Sequence, residues 1–125
     1  MAATCGIGNS KSITIQQSTD EAATYTIAAA SIFEAGFVVD AVICDTQTNA
    51  GGATLAVLKN ATTILDGATD DAPATAGTEI LDLTDTSANL TFAGADNLVV
   101  TTSGATKNRI TILVSEASPR SVTVS

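Results

Sequence analysis

The chain has 125 residues, a net charge of −8 and no histidine. Five Lys and Arg against thirteen Asp and Glu cannot form the basic footprint that phosphate backbones require, so nucleic acid and anionic membranes are excluded as partners. The length fits one domain, and with aromatics at 3% and no Trp its core must be built from Val, Ile and Leu, with Ala and Thr filling in.

Charged residues make up only 14%, against roughly a quarter in ordinary soluble domains. A surface of Thr, Ser, Asn and Ala suits a protein that lies against neighbours, and equally a rugged extracellular domain.

Residues 1–10 are small and polar, with Gly6 and Gly8, and read as an extended, flexible arm ahead of a domain over 11–125. This start has neither the basic region nor the apolar run of a signal peptide, and no apolar stretch reaches the length of a membrane span. The chain is therefore expected in the cytoplasm, or assembled there. Lys11 to Gln17 alternates, with Ile13 and Ile15 on one side, as a half-buried strand does. Asp20 and Glu21 mark a turn. Ala22 to Ala28 is a second strand, with Ala23, Tyr25 and Ile27 on one face. Ala28 to Gly36 has good helix propensity, but one turn or an irregular loop stopped by Gly36 fits better than a full helix.

Phe37 to Asp45 is the strongest strand. Simple alternation places Phe37, Val39, Ala41 and Ile43 on one face and Val38, Asp40, Val42 and Cys44 on the other, both largely apolar. Such a strand is central, or its outer face meets a partner. After a polar loop closed by Gly51-Gly52, Ala53 to Leu58 and Thr62 to Leu65 flank a tight hairpin turn at Lys59-Asn60-Ala61. Residues 66–78 form the longest break, with Gly67, Asp70, Asp71, Pro73 and Gly77. Short strands follow over Glu79–Leu83, Asn89–Phe92, Leu98–Thr102 and Arg109–Ser115, the last with Ile110, Ile112 and Val114 on one face. Pro119 breaks the chain before a last edge strand over Ser121–Ser125. About nine or ten short strands with regular turn signals imply an all-β, antiparallel sandwich or barrel.

Candidate chemistry is sparse. Without histidine there is no Ser-His or Cys-His nucleophile pair and no ordinary zinc site. Gly51-Gly52 lacks the Lys-Ser/Thr ending of a phosphate loop. Asp66, Asp70 and Asp71 share a loop and could hold Ca²⁺, but their order lacks the alternating ligands of an EF-hand, and a solvated acidic loop accounts for them. Asp82 and Asp85 flank a turn, which capping explains. A sugar-cleaving carboxylate pair would lack aromatic platforms. Asn60-Ala-Thr62 and Asn89-Leu-Thr91 match the glycosylation sequon, as chance allows in a Thr-rich chain. Cys5 and Cys44 would pair in an oxidising compartment and stay thiols in a reducing one, where Cys44 acts as a small hydrophobe. Phe33 and Phe37 are core anchors, or one of them is exposed at a subunit contact. The chain is expected to bind or assemble, not to catalyse, and to need no cofactor or metal.

Three stretches carry a family likeness. They are the run from Phe37 to Thr46 followed by a short Asn-Gly loop and Ala53-Thr-Leu-Ala-Val57, the long Asp- and Ala-rich loop, and Asn89-Leu-Thr-Phe92 leading through Gly94, Asp96-Asn-Leu-Val-Val-Thr-Thr-Ser-Gly104 and Thr106 into the strand at 110–114. Over residues 11–117 the chain resembles the small jelly-roll decoration, or cement, proteins of tailed bacteriophage heads. The resemblance implies a jelly-roll-like sandwich that docks on the outside of a capsid lattice. It further implies the major capsid protein as partner, a homotrimer, and residence on the virion exterior after assembly in the host cytoplasm. The residues then expected at the shell or at another subunit are Thr4, Cys5, Ile7, Asn9 and Lys11 in the arm, with Phe33, Phe37, Val38 and Val42. The alternative is a ligand-binding or adhesive module of a phage tail, fibre or bacterial surface, with recognition in loop 66–78.

Overall fold

A computed structural model describes residues 3–7, 9–18, 22–49, 54–66, 70–71, 77–103, 106–117 and 120–124, with side chains described for 9–18, 22–47, 54–66, 78–103 and 106–117. In chain order the strands are β1 (Ala3–Ile7), β2 (Ser10–Gln16), β3 (Ala23–Ala28), β4 (Phe37–Asn49), β5 (Thr54–Lys59), β6 (Thr62–Thr63), β7 (Asp70–Asp71), β8 (Gly77–Ile80), β9 (Thr91–Phe92), β10 (Asn97–Thr102), β11 (Thr106–Glu116) and β12 (Arg120–Val124). A 3₁₀ turn occupies Ala29–Ser31, and one helical turn, α1, occupies Ser87–Leu90.

Two antiparallel sheets form the expected sandwich. One runs β3-β10-β5-β6, with β7 beside β5; the other runs β2-β11-β4-β8, with β9 beside the start of β4. The alternation read from the sequence sets the inward faces. Ile13 and Ile15 of β2, Leu55 and Val57 of β5, Leu98 and Val100 of β10, and Ile110, Ile112 and Val114 of β11 are all buried between the sheets. Each such side chain contributes about 1.5–3 kcal/mol by leaving water. Phe37 and Phe92 stack across the β4–β9 pair with ring centroids 4.8 Å apart. Phe33 is also buried, so both of the bracketing phenylalanines are core anchors.

The turns follow local chemistry. Asn60 takes φ +55° in the two-residue turn between β5 and β6, the left-handed conformation that Asn tolerates. Gly36 has φ +93° and ends the segment after the 3₁₀ turn. A Cβ there would overlap the Phe92 carbonyl oxygen, so only glycine fits.

Strand β4 departs from the sequence expectation. Ile112 pairs with Val42 and Leu113 with Ala41, but Val114 pairs with Val39, which leaves Asp40 as an extra residue. This β-bulge resets which side chains face inward. Phe37 and Val39 point into the core on one side of it, and Val42, Cys44 and Thr46 on the other. Ala41 and Ile43 therefore face outward with Val38 and Asp40. Val42 and Cys44, expected on the outer face, belong to the core. A second register shift, between Lys107 and Asn108, lies near the other end of the pairing. The strand expected over Asn89–Phe92 is also half replaced, since Asn89 and Leu90 close the helical turn α1 and only Thr91 and Phe92 pair.

Candidate docking surfaces

Residues 3–7, read above as part of an arm, pair in antiparallel register with β12, from Ala3 opposite Val124 to Ile7 opposite Arg120. This two-stranded ribbon belongs to neither sheet. It prolongs the β2–β11 ladder. At the joint the Glu116 amide donates to the Asn9 carbonyl at 2.8 Å, and Asn9 Nδ2 donates to Glu116 Oε2 at 2.9 Å. Among the described residues neither ribbon strand pairs with a third, so each presents a main-chain edge. The side chains of Thr4, Cys5 and Ile7 lie outside the described residues, as do those of Asp70 and Asp71 in the acidic loop.

Lys11 and Phe33 are already matched to each other. Lys11 Nζ stands 4.5 Å from the Phe33 ring centroid and donates to the Ile32 carbonyl at 2.7 Å. The pair fastens the start of β2 to the chain after the 3₁₀ turn. Phe37 and Val42 are fully buried and Phe33 nearly so, which removes all three as contact residues. Val38 is half-buried and faces outward.

The outward face of the β2-β11-β4-β8 sheet is the better-defined surface. Its rows follow from register: Ser12, Leu113 and Ala41 lie side by side, then Thr14, Thr111, Ile43 and Ile80, then Gln16, Arg109, Asp45 and Thr78. Leu113 at 38% exposure and Ile80 at 71% are the exposed large hydrophobic residues among those described, and both stand here. Polar groups surround them. The Ser115 hydroxyl donates to Asp40 Oδ2. Arg109 Nε donates to Gln16 Oε1 at 3.1 Å, and Gln16 Nε2 donates to Gln47 Oε1 at 3.1 Å. Leu113 was legible, since it faces away from Ile110, Ile112 and Val114. Ile43 was hidden by the bulge at Asp40.

An open pocket at one end of the sandwich, beside Ala35, Ala88 and Ala93, holds Lys59 and Asp96. Their charges are spent internally. Lys59 Nζ donates to the Ala88 carbonyl at 3.1 Å and lies 3.9 Å from Asp96 Oδ2. Asp96 accepts from Asn60 Nδ2 at 2.9 Å and from the Ala93 amide at 2.8 Å. The Asn60 bond first, and the Ala93 bond second, hold its carboxyl below the ordinary value of 3.8. Among the described residues no three His, Cys, Asp or Glu side chains gather as a metal site.

No protein-family model and no curated protein matches this chain. Among solved structures, a chain of the cyanophage Pam1 capsid asymmetric unit is similar at 15% identity and a TM-score of 0.37, over 91% of this chain and 84% of that one.

Proposed function

We propose that this chain is a structural, non-catalytic protein that binds the outside of a viral capsid lattice and stabilises it, with the β1–β12 ribbon as the grip. The ribbon is the observation that carries the reading. It stands outside both sheets, and its edges offer unpaired main-chain groups to a strand of the shell. A two-stranded ribbon is marginal alone in water, and a third strand from a partner would complete it. The sequence likeness to phage-head decoration proteins supports the same role, as does a surface with few charges. In this reading the partner is the major capsid protein and the site of action is the virion exterior. Many weakly held copies would add up to a stabilised lattice.

Purified heads of the matching virus, stripped of this protein, provide the test. Deleting residues 2–10 should abolish binding while the sandwich keeps its melting transition. Val122→Pro, which removes a main-chain donor from the ribbon, should weaken binding in the same way. Unchanged occupancy by both variants would overturn the role of the ribbon.

A further inference from the structure

We infer that the outward face of the β2-β11-β4-β8 sheet is a self-association surface, covered by a second copy of this chain about a two-fold axis. The inference is independent of the capsid reading.

The first support is the make-up of the face. Leu113, Ala41, Ile43 and Ile80 form an apolar centre, and Ser115, Asp40, Gln16, Arg109 and Asp45 form a hydrogen-bonding margin. Apolar centre within polar rim is the anatomy of specific protein contacts, whereas scattered surface hydrophobes show no such order.

The second support is charge. The whole chain carries −8, so two copies repel through most orientations. On this face β11 and β4 contribute Lys107 and Arg109 against Asp40 and Asp45, two charges of each sign. A strongly basic or acidic partner gains little from so balanced a face, while a second copy meets no net repulsion there.

The third support is arrangement. Lys107 and Arg109 stand at one end, and Asp40, held by Ser115, stands at the other. Arg109 and Ser115 are about 20 Å apart along the strand at 3.3–3.4 Å per residue. A two-fold axis lying between two such faces, crossing the strands at the level of Ile112, turns one copy end for end. It sets Leu113 of each copy over Thr111 of the other and Ile43 over Ala41. It also brings Arg109 of each copy, with Asp45 beside it, to Ser115 and Asp40 of the other. Sheets pack in this aligned manner about 10 Å apart. Four strands spaced about 4.8 Å give a face roughly 20 Å across, below the area of standard interfaces, so the dimer is weak and concentration-dependent.

Sedimentation equilibrium over a concentration series tests this on the full chain. The wild type should fit a monomer–dimer equilibrium. Arg109→Glu and Asp40→Lys should each weaken dimerisation at least tenfold, and the double variant should recover most of it. Leu113→Glu should leave monomer. All these positions are exposed, and a retained melting transition confirms that each variant folds. A chain that stays monomeric, a trimer indifferent to these substitutions, or a double variant no better than its parents would each overturn the inference. The 2–10 deletion separates this surface from the ribbon, because the dimer should survive it.

Discussion

Gln17 Oε1 accepts from both the main-chain N–H and the side-chain Nδ2 of Asn108, each at 3.0 Å, in the buried space between the sheets. Gln17 Nε2 reaches the opposite sheet at Thr102 Oγ1, also at 3.0 Å. Asn108 Oδ1 in turn accepts from Thr46 Oγ1 at 2.8 Å and Thr106 Oγ1 at 3.2 Å. No buried side-chain polar atom among the described residues lacks a partner. Asn108→Leu would remove the side-chain donor to Gln17 Oε1 and the carbonyl oxygen that accepts from the Thr46 and Thr106 hydroxyls. At about 1–3 kcal/mol for each unsatisfied group, it should lower stability by several kcal/mol in urea denaturation. Thr106→Val removes the buried hydroxyl that donates to Asn108 Oδ1 and should cost about 1 kcal/mol.

Gly36 is fixed by the Phe92 carbonyl and by its positive φ. Gly36→Ala should therefore destabilise the protein by more than the roughly 1 kcal/mol usual for a left-handed residue, since the β9 segment must also move. A thermal melt reads this. A shift smaller than that of an Ala substitution at exposed Ser31 would refute the packing around Gly36.

The bulge at Asp40 makes opposite demands on neighbouring side chains. Val42→Asp places an unpaired charge in the core and should prevent folding, whereas Ile80→Asp should change stability by less than about 1 kcal/mol. Simple alternation along β4 would have put Val42 on the outside, so circular dichroism of Val42→Asp alone decides between the two registers.

Asp96 gives a signed prediction for acid. Its carboxyl is held below its ordinary value, first by Asn60 and then by the Ala93 amide. A depressed native pKa contributes stability above the unfolded value, and that contribution is lost as pH falls through the native value. Stability of the wild type should decline below about pH 4, and Asn60→Ala should flatten part of that decline. An identical acid profile in the two proteins would show that the bond does not favour the carboxylate.

Cys44 is fully buried, and its thiol donates to Asn108 Oδ1 at 3.6 Å. In a Cys5→Ser variant a thiol reagent should label Cys44 only on unfolding, and labelling should speed up with denaturant. Rapid labelling of the native protein would contradict its burial.

Much of the fold was legible because period-2 patterning is a local signal. Ile13 and Ile15, Tyr25 and Ile27, and Ile110 to Val114 declare their strands and faces from neighbouring residues alone. The turn at Asn60 is legible for the same reason, since the residue's own conformational tolerance marks it. What the sequence concealed depends on partners distant in the chain. The bulge at Asp40 exists only against β11, and it reversed the facing of Val42 and Ile43. Thr91 pairs opposite Val38, which no local pattern announces. Val42 was misplaced among the candidate contact residues for this reason. An apolar run covered on one side looks the same in sequence as one covered on both.

The pairing of Ala3 with Val124 has a consequence for synthesis. The first strand of the ribbon leaves the ribosome long before its mate is made, and closing so long a loop is among the slowest steps a chain can take. The sandwich must assemble first, because β11 leads directly into β12. A nascent or prematurely stopped product would therefore fold its core yet lack the ribbon, which only chains translated through Val124 can close.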